Sequence, residues 1–205
     1  MADMRAFQNA LSDWASGGSG EAASDLAERL RVRTAVLVEG PSDVAAVETL
    51  AELRGRDLAA EGICVVSMGG AMSVGRYANL LGPTGLALRL VGLCDAGERR
   101  FYERALREAG AALDAFFVCE RDLEDELIRA LGTARVEEVV RAEGDLRAWQ
   151  TFRRQPAQHG RSRHQQTRRF LSTKKGRKIR YGHLLVEALA PDLTPPPLEG
   201  LLACL

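Results

Sequence analysis

The stretch whose reading decides the fold is "TAVLVEGPSD", Thr34 to Asp43. Five strand-forming residues run straight into Glu39, Gly40 and Pro41, and Asp43 follows the glutamate four positions on. A turn between a strand and a helix needs the glycine and the proline. It does not need two carboxylates. The text that follows, "SDVAAVETLAELRG", places Val44, Val47 and Ala51 on one helical face, so the stretch reads as strand, tight turn and helix.

The same alternation recurs downstream. "GICVVS" is followed by "AMSVGRYANLLG", "LALRLVGLC" by "RRFYERALREAG", and "LDAFFVC" by "DLEDELIRALG". Apolar strands separated by helices of roughly ten residues or more indicate βαβ units and a mainly parallel sheet covered on both faces. The expectation is an α/β core with a strand in each of these apolar runs. Upstream, Met4, Phe7, Leu11 and Trp14 keep helical spacing, "SGGSG" reads as a flexible joint, and "EAASDLAERLRV" resumes as a helix. Residues 133–205 read as helical and irregular, with "APDLTPPPLEG" as a Pro-rich arm. The expected division is an N-terminal helical extension (1–32), a core (33–132) and a basic helical extension (133–205).

A content of 46% hydrophobic and 27% charged residues belongs to a folded globular chain and argues against wholesale disorder. No apolar run approaches the roughly 18–20 residues of a membrane helix. The first twenty residues lack the basic and apolar regions of a secretion signal. Cys64, Cys94, Cys119 and Cys204 form no close pair and mostly sit in apolar runs, which suggests reduced, buried thiols in a cytoplasmic protein.

A net charge of zero hides an asymmetry. Residues 1–145 hold 25 acids against 16 bases, whereas residues 146–182 hold 12 bases and no acid. Such a block faces a polyanion more often than open solvent, and nucleic acid is the commonest polyanion. Arg153, Arg154, Arg161, Arg163, Arg168, Arg169, Lys174 and Lys175 are the candidates to track a phosphate backbone, with Trp149 and Phe152 near them to stack on bases. Part of the block could instead pair with the acidic core. His159, His164 and His183 read as polar surface residues.

In an open parallel sheet, ligands bind outside the carboxyl ends of the strands. Glu39 follows the first strand, Asp95 the third and Glu120 the fourth, with Asp43, Glu98, Asp122 and Glu124 close behind. Like charges gathered at one edge call for a cation, and oxygen-only donors select a hard divalent ion such as Mg²⁺ or Mn²⁺. Each acid also has a plainer reading. Asp43 and Asp122 stand where helices begin, and Glu98 and Glu120 could be ordinary loop acids.

"VLVEGPSD", "SMGGAMSVGRYANLL" and "VGLCDAGE", in that order, resemble the glutamate motif, glycine turn and Asp-x-Asp motif of the Toprim fold. "RDLEDELIRALG" with "KIRYG" further resembles the Toprim half of the overcoming-lysogenization-defect (OLD) family nucleases. The resemblance implies a Rossmann-like core, divalent metal and DNA cleavage by activated water. It implies Glu39 as ligand or general base, Asp43, Asp95 and Glu124 as metal-site acids, and Lys178 as the lysine that stabilises charge at the scissile phosphate. The second Asp of Asp-x-Asp falls on Gly97, beside which Glu98 could compensate. The text contains no G-x-x-x-x-G-K-[ST], so the expectation is a chain that either works without ATP or borrows that half from a separate ATPase partner.

The expected function is a metal-dependent DNA nuclease or nickase. The alternatives are an RNA-processing Toprim ribonuclease and a non-catalytic nucleic-acid-binding module acting with an ATPase. A topoisomerase would need a nucleophilic tyrosine on an added gate domain, and Tyr77, Tyr102 and Tyr181 all lie within this small fold. A nicotinamide-type Rossmann enzyme is disfavoured because "EGPSD" is not G-x-G-x-x-G and its acid would repel a pyrophosphate.

Overall fold

Thr34–Val38 forms a strand, β1, whose five residues are all buried; the computed structural model describes residues 2–112 and 115–205. A run with no polar alternation needs cover on both faces, and β1 receives it at the centre of the sheet. It pairs in parallel with β2 (Ile63–Ser67) on one side and β3 (Arg89–Asp95) on the other. β4 (Phe116–Cys119) pairs in parallel with β3, giving the order β2-β1-β3-β4. Residues 113 and 114, the start of the expected "LDAFFVC" strand, lie outside the described residues.

The chain leaves β1 toward one side and returns to β3 on the other, so the topology reverses between these two strands. That reversal opens a crevice at their carboxyl ends. The two strands also approach unusually closely beside Leu37. A Cβ on Gly92 would stand 2.2 Å from Leu37 O, so only glycine fits there.

Alternate residues of β1 feed two cores. Ala35 and Leu37 pack with α1 (Ala2–Ala15), α2 (Glu21–Arg29), α4 (Val74–Leu81) and α5 (Arg99–Glu108). Val36 and Val38 pack with α3 (Pro41–Leu53), α6 (Leu123–Ala142), α9 (Lys175–Glu187) and α10 (Pro196–Cys204). α7 (Leu146–Arg153) and α8 (Arg163–Leu171) extend this second core through Trp149, Phe152 and Phe170. The α/β class and the four-stranded sheet agree with the expectation.

Two local readings are corrected. "SGGSG" is a tight turn rather than a loose joint, with Gly18 N–H donating to Asp13 O at 2.9 Å and α1 packed along α2. The Pro-rich arm contains α10, because proline is tolerated in the first helical turn and Pro196 occupies it. No helix among the described residues is long and apolar enough to cross a membrane.

α9 crosses α3 at close range. A Cβ on Gly182 would meet Ser42 O at 2.4 Å. On the other side Asp145 holds α9, accepting from Arg180 Nη2 at 2.7 Å, Tyr181 Oη at 3.2 Å and Arg177 Nε at 3.3 Å. Lys178 lies one turn before Gly182, so these contacts also set where Lys178 stands. We expect Gly182→Ala to lower stability by about 1–3 kcal/mol, the usual cost of overfilling a packed contact. Urea unfolding checks this, and an unchanged midpoint contradicts the close crossing.

Candidate functional site

β1 ends at Val38, which places Glu39 at the mouth of the crevice. Asp95 closes β3. A tight turn, with Glu98 N–H donating to Asp95 O at 2.9 Å, then brings Glu98 to the start of α5. Glu39, Asp95 and Glu98 each offer one oxygen, and these oxygens all lie within 4.8 Å of one another. Glu39 is exposed, and the other two are half-buried.

Among the described residues no cation offsets the charge of Asp95 or Glu98. Burial, then Glu39, Asp122, Glu98 and Asp43, pushes the Asp95 carboxyl up to about 7. Burial and then Glu39 also raise Glu98 above the ordinary carboxyl range. Asp43 is pushed up to about 7 by burial and by Glu124, against the Gly40 N–H and Lys178, which hold it down. Groups shifted this way in one crevice suit a cation that would relieve them together.

Asp43 has a second task. Its Oδ2 accepts the Gly40 N–H at 2.8 Å and so caps α3. Beside it stands Glu124, which is only 5% exposed. Lys178 Nζ lies 3.1 Å from Glu124 Oε1, an ion pair without the alignment of a hydrogen bond. Burial works against the Lys178 charge, but Glu124, Asp43 and Asp122 outweigh it and raise the ammonium above its ordinary value. Glu39, Asp43, Asp95, Glu124 and Lys178 line one depression. The site therefore has two halves: a three-carboxylate cluster on the β1 and β3 ends, and an Asp43–Glu124–Lys178 wall.

The donor set fits a hard divalent ion. All its atoms are carboxylate oxygens, and Glu98 Oε2 is buried without a hydrogen-bond partner among the described residues. Gly97, where the Asp-x-Asp pattern has its second acid, offers no ligand, and nothing lies within 4 Å of a Cβ built there. Glu98, one residue later, reaches the cluster instead.

The expectation that β4 delivers Glu120 to this edge is corrected. The Glu120 side chain is exposed and pairs with Arg129. Asp122 lines the depression in its place, because the chain turns inward again to start α6. Asp122 Oδ1 caps that helix by accepting Asp125 N–H at 2.8 Å, and its Oδ2 takes Arg168 Nε at 2.7 Å. Of the three buried acids opening α6, Asp125 and Glu126 are engaged elsewhere. Asp125 meets His164 Nε2 at 2.8 Å, and Glu126 accepts the Glu120 N–H at 2.7 Å. Glu124 alone faces the depression.

The basic segment also departs from expectation. Trp149 and Phe152 are buried at 1% and 9% exposure against Phe170, so they cannot stack on bases. Arg163 pairs with Glu137 at 3.3 Å and Arg168 with Asp122, so both are engaged with the acidic core. Arg154, Arg161, Arg169 and Lys174 are exposed and make no ion pair among the described residues. Arg153 is half-buried over the Trp149 ring at 5.5 Å. The Lys175 side chain lies outside the described residues. His164 and His183 are not simple surface groups. His183 Nδ1 lies 2.7 Å from Thr49 Oγ1, and the His164 ring is held by Asp125.

Tyr102 is the lining residue that sequence reasoning missed as a site group. Its spacing of four from Glu98, one helical turn, was the available signal.

Comparison with known proteins agrees with this geometry. Residues 32–96 match the family model of the overcoming lysogenization defect protein-like TOPRIM domain, a segment that contains Glu39, Asp43 and Asp95. No curated protein matches the chain. Among solved structures, the C-terminal region of the Burkholderia pseudomallei OLD protein superposes with a TM-score of 0.63 at 22% identity, covering 84% of this chain and 96% of that one. The C-terminal region of the Xanthomonas campestris pv. campestris OLD protein gives 0.62 at 28% identity, covering 84% and 93%. With its parallel β2-β1-β3-β4 sheet and carboxylates at the β1 and β3 ends, the chain adopts the α/β Toprim fold and resembles the C-terminal region of OLD proteins.

Proposed function

We propose that the chain is a divalent-metal-dependent phosphodiesterase that cuts or nicks DNA. The observation that carries this reading is the cluster of Glu39, Asp95 and Glu98 oxygens within 4.8 Å at the sheet edge, with the Lys178 ammonium on the same depression. Glu39, Asp95 and Glu98 would hold Mg²⁺ or Mn²⁺, with Asp43 and Glu124 forming the adjoining wall. Such an ion, when bound, polarises phosphoryl oxygens and makes water nucleophilic near neutral pH.

The chain's own groups do the remaining work. Exposed Glu39 is placed to accept a proton from attacking water. Lys178, kept charged by Glu124, can turn toward a phosphate oxygen and offset the charge that develops there. Arg154, Arg161, Arg169 and Lys174 are available to phosphates along the strand, a contribution that weakens with salt. Arg163 and Arg168 act instead through the core, tying α8 to α6.

Gly97 favours a second reading: a non-catalytic nucleic-acid-binding module acting beside a separate ATPase. Supercoiled plasmid with Mg²⁺ or Mn²⁺ separates the two. Nicked or linear product that chelation prevents supports the phosphodiesterase, and salt-sensitive retardation without any product supports the module.

The role given to Glu98 has its own test. Glu98→Gln is expected to lower Mn²⁺ affinity roughly tenfold, about 1.4 kcal/mol. Gly97→Asp in the same chain is expected to recover most of that loss, since the space beside Gly97 is open. Calorimetric titration reads both. Wild-type affinity in Glu98→Gln would show that Glu98 is not a ligand.

A further inference from the structure

The phenol of Tyr102 is 1% exposed, yet its hydroxyl has no hydrogen-bond partner among the described residues. Buried tyrosine hydroxyls normally find one. Tyr102 is no ordinary core residue, because it lines the carboxylate depression. Its ring is fixed by edge contacts with Phe101 at 6.5 Å and Phe116 at 6.1 Å between centroids. A hydroxyl on a fixed ring has little freedom to seek a partner elsewhere.

The complementary orphan is Glu98 Oε2, a buried acceptor also without a partner among the described residues. The two belong to consecutive turns of one helix. Glu98 stands at the entry to α5, and Tyr102 N–H donates to Glu98 O at 3.1 Å. Side chains four apart on a helix lie on one face. An unpaired donor and an unpaired acceptor therefore sit on the same face of α5, at the edge where Glu98 meets Glu39 and Asp95. Facing a carboxylate, which only accepts, a phenol hydroxyl can only donate.

We propose that Tyr102 is the positioning residue for Glu98: its hydroxyl donates to the Glu98 carboxylate, directly or through one water, when that carboxylate holds a divalent cation. This rests on the metal-dependent reading above and deepens it. A carboxylate that gives an oxygen to a cation keeps lone pairs for an outer donor, and such donors fix its orientation. Glu98 has a longer and more flexible arm than the aspartate that Gly97 lacks. Tyr102 supplies the rigidity that this arm needs.

The test is Tyr102→Phe, which removes one oxygen and keeps the ring. Mn²⁺ affinity, read from the electron paramagnetic resonance signal of free Mn²⁺, is expected to weaken about tenfold or more, as for other outer-shell partners of metal ligands. The metal-free melting temperature is expected to stay or rise, because deleting an unpaired buried hydroxyl removes a cost. In a Glu98→Gln background the same change is expected to have no further effect on affinity. Wild-type affinity in Tyr102→Phe overturns the proposal. So does an equal loss in both backgrounds, or a lower metal-free melting temperature that marks a purely structural role. A wild-type protein that binds no Mn²⁺ overturns the metal-dependent reading itself, and this inference with it.

Discussion

Asp95→Asn is expected to lower metal-dependent cleavage by about a thousandfold and, at the same time, to stabilise the metal-free protein above neutral pH. The first effect follows from removing a central ligand of a cation whose charge stabilisation is worth several kcal/mol. The second follows from linkage. Asp95 has an ordinary value of 3.8 and is pushed up to about 7 in the folded chain by burial, then by Glu39, Asp122, Glu98 and Asp43. Between those two values the folded state binds more protons than the unfolded state, so stability falls as pH rises through that window. The cost is absent below it and fully present above it. Asparagine carries no such cost. Melting in chelator should therefore show little difference between variant and wild type at low pH and a higher melting temperature for the variant above neutrality. Adding Mn²⁺ should raise the wild type and leave the variant nearly unmoved. A variant less stable at every pH would mean that Asp95 is held by contacts other than a cation.

Lys178→Met is expected to lower cleavage by roughly a hundredfold to a thousandfold, the range for losing one preorganised donor at a developing negative charge. It also leaves Glu124, 5% exposed, without its cation at 3.1 Å. An uncompensated buried charge destabilises the fold. Because the lysine itself is partly exposed, that cost is moderated by solvent. Adding Glu124→Gln should recover the stability and leave cleavage low. Urea midpoints and plasmid cleavage on the single and double variants check this. If cleavage returns with stability, Lys178 serves the fold alone.

Much of this architecture could be read in the chain because strand ends announce themselves. Val38 is the last of an unbroken apolar run, so the next residue, Glu39, had to emerge at the carboxyl edge, and Asp95 follows the same logic. Glu120 did not, because a carboxylate just past a strand can face either way. The turn to Asp122 and the partner Arg129 decide its direction, and neither is visible in local pattern. The arginine block was divided for a similar reason, as part of it was expected to pair with the acidic core. Its charge density points to a polyanion, yet Asp122 and Glu137 meet two of its members only after α8 folds back on α6. Trp149 and Phe152 were legible in principle, since a spacing of three places them on one face of α7. Tyr102 illustrates the deeper limit. Its spacing from Glu98 is in the text, but an unpartnered hydroxyl exists only as a fact of packing.

The central claim is that Glu39, Asp95 and Glu98 together hold one divalent cation at the edge of the sheet. The most direct measurement is anomalous diffraction from crystals of the protein grown with Mn²⁺. The account predicts a peak within coordination distance of carboxylate oxygens from all three residues, lost in crystals of Asp95→Asn. A well-ordered site with no peak there, or a peak bound by other residues alone, would contradict it.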